Sequence, residues 1–227
     1  MRASILYPAS YALASVQLEQ GEQLRMESGA MVGHSPTIEI EAKMEGGFLK
    51  SLGRAVLGGE SFFITRATAN TGPGEILLAP SAPGDIVTVP LNGGGLIVQR
   101  GCYLANSTGV EVDTKWGGFK GAFTSGGFFW LHLHGQGAAF VASFGAIHRR
   151  TLAPGEHYIV DTGHIVAFSD TIQYQVRKAA KGFLNTATTG EWLVAEYVGP
   201  GELLMQTRQA PAFAQWMAPY LPTKGSS

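Results

Sequence analysis

His132 and His134 are separated by a single residue, Leu133. On a strand this spacing sends both imidazoles to one face, where such a pair can chelate a divalent metal. A metal centre needs further ligands, and the residues that follow, GQGAAF, bring no carboxylate. Two ordinary surface or hydrogen-bonded histidines explain the motif more simply than a metal does. Glu39 with Glu41, and Glu111 with Asp113, are also spaced by two. A solvated strand face accounts for them more readily than general acid and base partners do. Cys102 is the only cysteine, so the chain holds no internal disulfide, which fits a reducing compartment. With no His or Lys beside it in sequence to lower its pKa, it reads as a small buried apolar group. No GxSxG elbow, GxxxxGK[ST] loop or HExxH helix occurs. The sequence therefore declares no catalytic residues, no metal site and no cofactor.

Composition points the same way. Hydrophobic residues make up 45% of the 227 residues and charged residues 15%, with 31 glycines. That balance suits many short strands joined by tight turns. A net charge of −1 supplies no field to steer the protein toward phosphates, so nucleic acid is not an expected partner. Low net charge with many apolar residues favours association. Arg2 followed by ILYPASYALA weakly imitates an export signal, but Pro8 and Ser10 interrupt its apolar run. No stretch approaches the roughly 18 consecutive apolar residues of a membrane span. The expectation is a soluble, cytoplasmic protein.

The elements that position these residues recur three times. Residues 27–43 (ESGAMVGHSPTIEIEAK), 99–115 (QRGCYLANSTGVEVDTK) and 161–177 (DTGHIVAFSDTIQYQVR) align without a gap. Gly29, Gly101 and Gly163 superpose, as do Ser35, Ser107 and Ser169, and then Ile38, Val110 and Ile172. Another glycine precedes each marker, at Gly21, Gly93 and Gly155, and between them the apolar pairs Leu24/Met26, Leu96/Val98 and Tyr158/Val160 alternate with period two. This is the pattern of a strand with one buried face, with glycines supplying positive φ or close approach at its ends. A bulky strand follows in each copy, ESFFITRA, FFWLHLH and EWLVAEY. A glycine turn then comes at 72–75, 135–137 and 199–202 before a last strand. The copies span about 11–82, 83–144 and 145–209, within one domain over 1–227. One copy cannot bury its apolar face alone, whereas three around a common axis can.

The ESGAMVGHSP segment, the glycine-rich GGFLKSLGRAVLGGESFF segment and the threefold repeat together resemble an uncharacterised bacterial and archaeal family related to the altered-inheritance-of-mitochondria proteins. The similarity runs from about residue 3 to 209. It implies an all-β fold grouped with the tryptophan RNA-binding attenuation protein: a double-stranded β-helix or β-sandwich with three similar subdomains in pseudo-threefold arrangement. It carries over no catalytic residues. Fungal relatives are linked to mitochondrial inner-membrane organisation, which implies a structural or assembly role by analogy. Double-stranded β-helices also include metal-binding cupins, and PGEH at 154–157 half resembles their second motif. A cupin-like metal-dependent enzyme using His132 and His134 is therefore the alternative reading.

Two further features suggest contact surfaces. FLKSLGRAVL places Phe48, Leu49, Leu52 and Val56 at helical spacing opposite Lys50 and Arg54, and its counterparts carry Phe119 and Phe123, then Phe183. Three such glycine-flanked apolar loops either fold back to cap the barrel ends or form a ring for a subunit, a protein partner or a membrane surface. Near the C-terminus, about 210–221, APAFAQWMAPYLP puts Phe213, Trp216, Met217 and Tyr220 on one stripe of a short helix with Pro211 near its start. Docking on its own sheet is the default for that helix, and anchoring a neighbouring subunit is the other option. The leading expectation is a non-enzymatic scaffold or binding protein that forms a homo-oligomer through these surfaces.

Overall fold

The computed structural model describes residues 1–41, 64–113, 130–178 and 193–221. It is an all-β protein of antiparallel sheets with one short C-terminal helix. After β1 (Arg2–Leu6), the strands fall into three sets. The first holds β2 (Leu13–Leu18), β3 (Gln23–Glu27), β4 (Met31–His34), β5 (Ile38–Glu41), β6 (Ile64–Ala69) and β7 (Gly74–Leu78). The second holds β8 (Ile86–Asn92), β9 (Leu96–Gln99), β10 (Tyr103–Ser107), β11 (Val110–Asp113) and β12 (Trp130–Ala142). The third holds β13 (Ile147–Leu152), β14 (His157–Asp161), β15 (Ile165–Ser169), β16 (Gln173–Lys178), β17 (Leu193–Val198) and β18 (Gly201–Gln206).

All three sets are wired alike. In the first, β7 lies between β2 and β4 while β6 lies between β3 and β5. In the third, β18 lies between β13 and β15 while β17 lies between β14 and β16. In the second, the single strand β12 plays both parts: its first half pairs with β9 and β11, its second half with β8 and β10.

The period-two pattern explains which faces meet. Leu24, Met26, Leu96 and Val98 are buried, as are Ile38, Val110 and Ile172. The apolar residues gather into three clusters, one per set, because each sandwich hides its own inner faces. Neighbouring sets share residues across their joins: Leu104, Ala105 and Phe140 enter the first cluster, and Val166, Ala167 and Leu204 enter the second.

The marker serines have a common task. Ser35, Ser107 and Ser169 each accept a hydrogen bond at 2.9 Å from a backbone N–H just past the glycine turn, from Glu75, Ala138 and Glu202. The turns themselves differ from the sequence expectation in one copy. At 135–137 the chain runs on as a continuous strand, because the Gln136 N–H donates to the Gly109 carbonyl at 3.0 Å. Its counterparts are Pro73 and Pro200, which have no N–H to give, so the other two copies break there. In those copies Thr37 and Thr171 donate through their hydroxyls to the proline carbonyls instead. Positive φ is found at Gly29 but not at its repeats: Gly101 and Gly163 sit in single 3-10 turns, the second held by the Asp161 carboxylate accepting the Gly163 N–H.

Candidate interaction surface

His132 and His134 do share a face of β12, with ring centroids 5.0 Å apart and the fully buried Leu133 pointing the other way. Asp113 lies opposite His132 on the adjoining strand β11, and Glu111 lies opposite His134. His132 Nε2 stands 3.2 Å from Asp170 Oδ2. The histidines thus sit among carboxylates that suit ion pairing at a half-exposed sheet face. Among the described residues, no group of three or more His, Cys, Asp or Glu side chains is arranged to hold a metal ion. The geometry gives the cupin-like alternative no support. Cys102 is buried, which pushes its thiol pKa up to about 12 and leaves it protonated at neutral pH, the opposite of what a nucleophile needs.

The apolar surface is more informative. The C-terminal helix, α1 (Ala210–Met217), begins with Pro211 in its first turn and continues into a 3-10 turn over Ala218–Tyr220. None of its residues is buried. Phe213 meets the half-buried Phe144 edge to face at 5.1 Å. Beyond that contact Phe213, Trp216 and Tyr220 lean on one another at 5.6 Å steps, along a stripe that faces water. Trp216 is 59% exposed and Tyr220 72%. The helix therefore meets the rest of the protein at Phe213, against a residue just past the end of β12, and leaves Trp216 and Tyr220 exposed. The other residues expected at a contact surface, Phe48, Leu49, Leu52, Val56, Phe119, Phe123 and Phe183, lie outside the described residues.

A second apolar surface was not foreseen. Sets are joined edge to edge by the same strand pair: β10 of the second set pairs with β3 of the first, and β15 of the third pairs with β9 of the second. The register is identical in repeat terms. Ala105, Asn106 and Ser107 face Met26, Arg25 and Leu24, while Ala167, Phe168 and Ser169 face Val98, Ile97 and Leu96. A third join of this type would link β4 to β14. Among the described residues no ladder connects them: β4 ends one sheet and β14 ends another. Met31, Val32 and Ile159 on these two edges are large and exposed.

The family model described as mitochondrial biogenesis AIM24 matches residues 3–208. An uncharacterized protein of Streptococcus pyogenes serotype M6 is 30% identical, over 100% of this chain and 93% of the relative. The crystal structure of a Streptococcus pyogenes protein is similar with a TM-score of 0.78 and 30% identity, covering 97% of this chain and 99% of the other.

Proposed function

The chain belongs to the mitochondrial biogenesis AIM24 family, and from that premise we propose that it is a non-enzymatic scaffold or binding protein that self-associates through exposed apolar surface. The observation that carries this reading is the unburied aromatic stripe of α1. Phe213, Trp216 and Tyr220 are aligned by helical periodicity yet cover little of the protein itself. Aromatic side chains exposed together in this way are typical anchors of protein interfaces, because each buries a large area at little cost in conformational entropy. The glycine-flanked loops bearing Phe48, Phe119 and Phe183 would supply further contacts of the same kind. In this reading the protein acts in the cytoplasm, uses no cofactor and takes no nucleic acid. No helix among the described residues is long and apolar enough to cross a bilayer.

Size-exclusion chromatography with light scattering tests the proposal. A multiple of the 24.1 kDa chain mass is expected for the wild type, and a smaller assembly or faster dissociation for Trp216→Ala. A monomer at every concentration, with Trp216→Ala indistinguishable from it, would remove the basis of the reading.

A further inference from the structure

We propose that self-association runs head to tail, with β4 of one copy of this chain adding to β14 of the next and repeating the join that the chain twice makes within itself. The inference rests on the self-association reading and names the surface that carries it.

β4, β10 and β15 each carry a bulge at the same place, where the register slips at Val32, Leu104 and Val166. Leu104 is 1% exposed and Val166 0%, because each is covered where its set meets the preceding one, whereas Val32 is 59% exposed. The residue before the bulge behaves alike: Tyr103 is 2% exposed, Ile165 0% and Met31 41%. On the opposing edge, Ile97 is 0% exposed beneath β15 while its counterpart Ile159 on β14 is 50% exposed.

Leu104 enters the core cluster of the first set, and Val166 enters that of the second. Each set thus plugs the one before it. The first set has a plug, Val32, with no preceding set. The third set has an open edge, β14, with no following plug. Among the described residues, the buried members of each core cluster come from adjacent sets and never from the first and third together, although the half-buried Ile64 of β6 packs against the second cluster, which holds Val166, Ala167 and Leu204. The two unfilled halves are complementary by the chain's own rule, so the partner each fits is a second copy of this chain.

Both internal joins share one register, which fixes the register of the missing one. Gly33 is to face Val160, His34 to face Ile159, and Ser35 to face Tyr158. Such a contact is heterologous: one edge on one protomer meets a different edge on the next, giving a closed ring or an open filament according to the rotation at each step. Unpaired edge strands otherwise invite uncontrolled pairing, and β4 and β14 are short, as edges that must pair selectively tend to be.

Cysteine cross-linking of the full chain tests the join. Directly opposed residues on antiparallel strands have Cα atoms about 4.5–5.5 Å apart, within the span a disulfide accepts. His34→Cys protein mixed with Ile159→Cys protein under mild oxidation is expected to give a disulfide-linked dimer that neither variant gives alone. Ser35→Cys mixed with Ile159→Cys is expected to give none, because a one-residue slip turns the side chains to opposite faces. Val32→Lys, with an unchanged circular dichroism spectrum, is expected to lower the mass in solution. If the wild type is oligomeric but the matched pair fails to cross-link, the join is wrong and self-association through another surface stands. If the wild type is a monomer, both fall. If the double variant His34→Cys/Ile159→Cys closes within one chain at a yield unaffected by dilution, the seam is internal and the inter-chain join is overturned.

Discussion

Phe213 and Phe144 meet edge to face with their centroids 5.1 Å apart, and this contact ties the C-terminal helix to the segment that links β12 to β13. Phe144 follows the end of β12, and its N–H is held by the Gln206 side chain at 2.9 Å, so the ring that receives Phe213 is fixed from below. An aromatic pair of this geometry contributes about 0.5–1.5 kcal/mol beyond its buried area. Phe144→Ala is expected to lower stability by about 1–2 kcal/mol and to release the helix. Limited proteolysis after residue 209 should then be faster while the sheets remain intact, as far-ultraviolet circular dichroism would show.

Leu104 and Val32 should respond differently to the same change. Leu104→Ala empties a filled core position and is expected to cost about 2–5 kcal/mol in urea unfolding. Val32→Ala, measured at protein concentrations low enough to dissociate any assembly, is expected to stay within about 0.5 kcal/mol of wild type.

Cys102 should be silent toward thiol reagents in the folded state. Burial holds its pKa near 12, so at pH 8 the thiolate is scarce and the sulfur is shielded. Alkylation followed by mass spectrometry should show modification only when denaturant unfolds the chain, and its rate should track the unfolding transition.

Gly84 lies where the first two sets join, bridged to Gly145. A Cβ there would stand 1.7 Å from the Ser143 carbonyl oxygen, a backbone atom that cannot rotate away. Gly84→Ala is expected to destabilise the fold by about 2 kcal/mol or more. Gly94→Ala, where a Cβ would meet nothing within 4 Å, is expected to be nearly neutral, and thermal melts of the pair give the comparison.

Much of this architecture was legible from residue spacing. The pair Leu24/Met26 alternates because one face of β3 is buried, whereas in β9 Ile97 is buried along with Leu96 and Val98, so the period-two pattern marks only one of its two covered faces. The marker glycines and serines register the copies, and the serines mark where a side chain replaces a lost ladder bond. The continuous strand through Gly135 and Gly137 was not legible, since it depends on whether an N–H at residue 136 finds the Gly109 carbonyl. The open seam was hidden for a stronger reason. Val32, Leu104 and Val166 are all apolar and occupy equivalent positions, so sequence marks each as core. Only the placement of the sets shows that one has no cover. Among the residues expected at a contact surface, Trp216 is exposed, whereas the histidine pair drew attention through its spacing alone.

Hydrogen exchange of the wild-type protein across a concentration series reads the join of β4 to β14 without any substitution, because backbone amides on a strand edge are protected only when something pairs with them. Protection of β4 and β14 is expected to rise together with protein concentration while β10 and β15, already paired on both sides, stay constant. Exchange at β4 and β14 that remains fast and unchanged as the protein assembles would contradict the join.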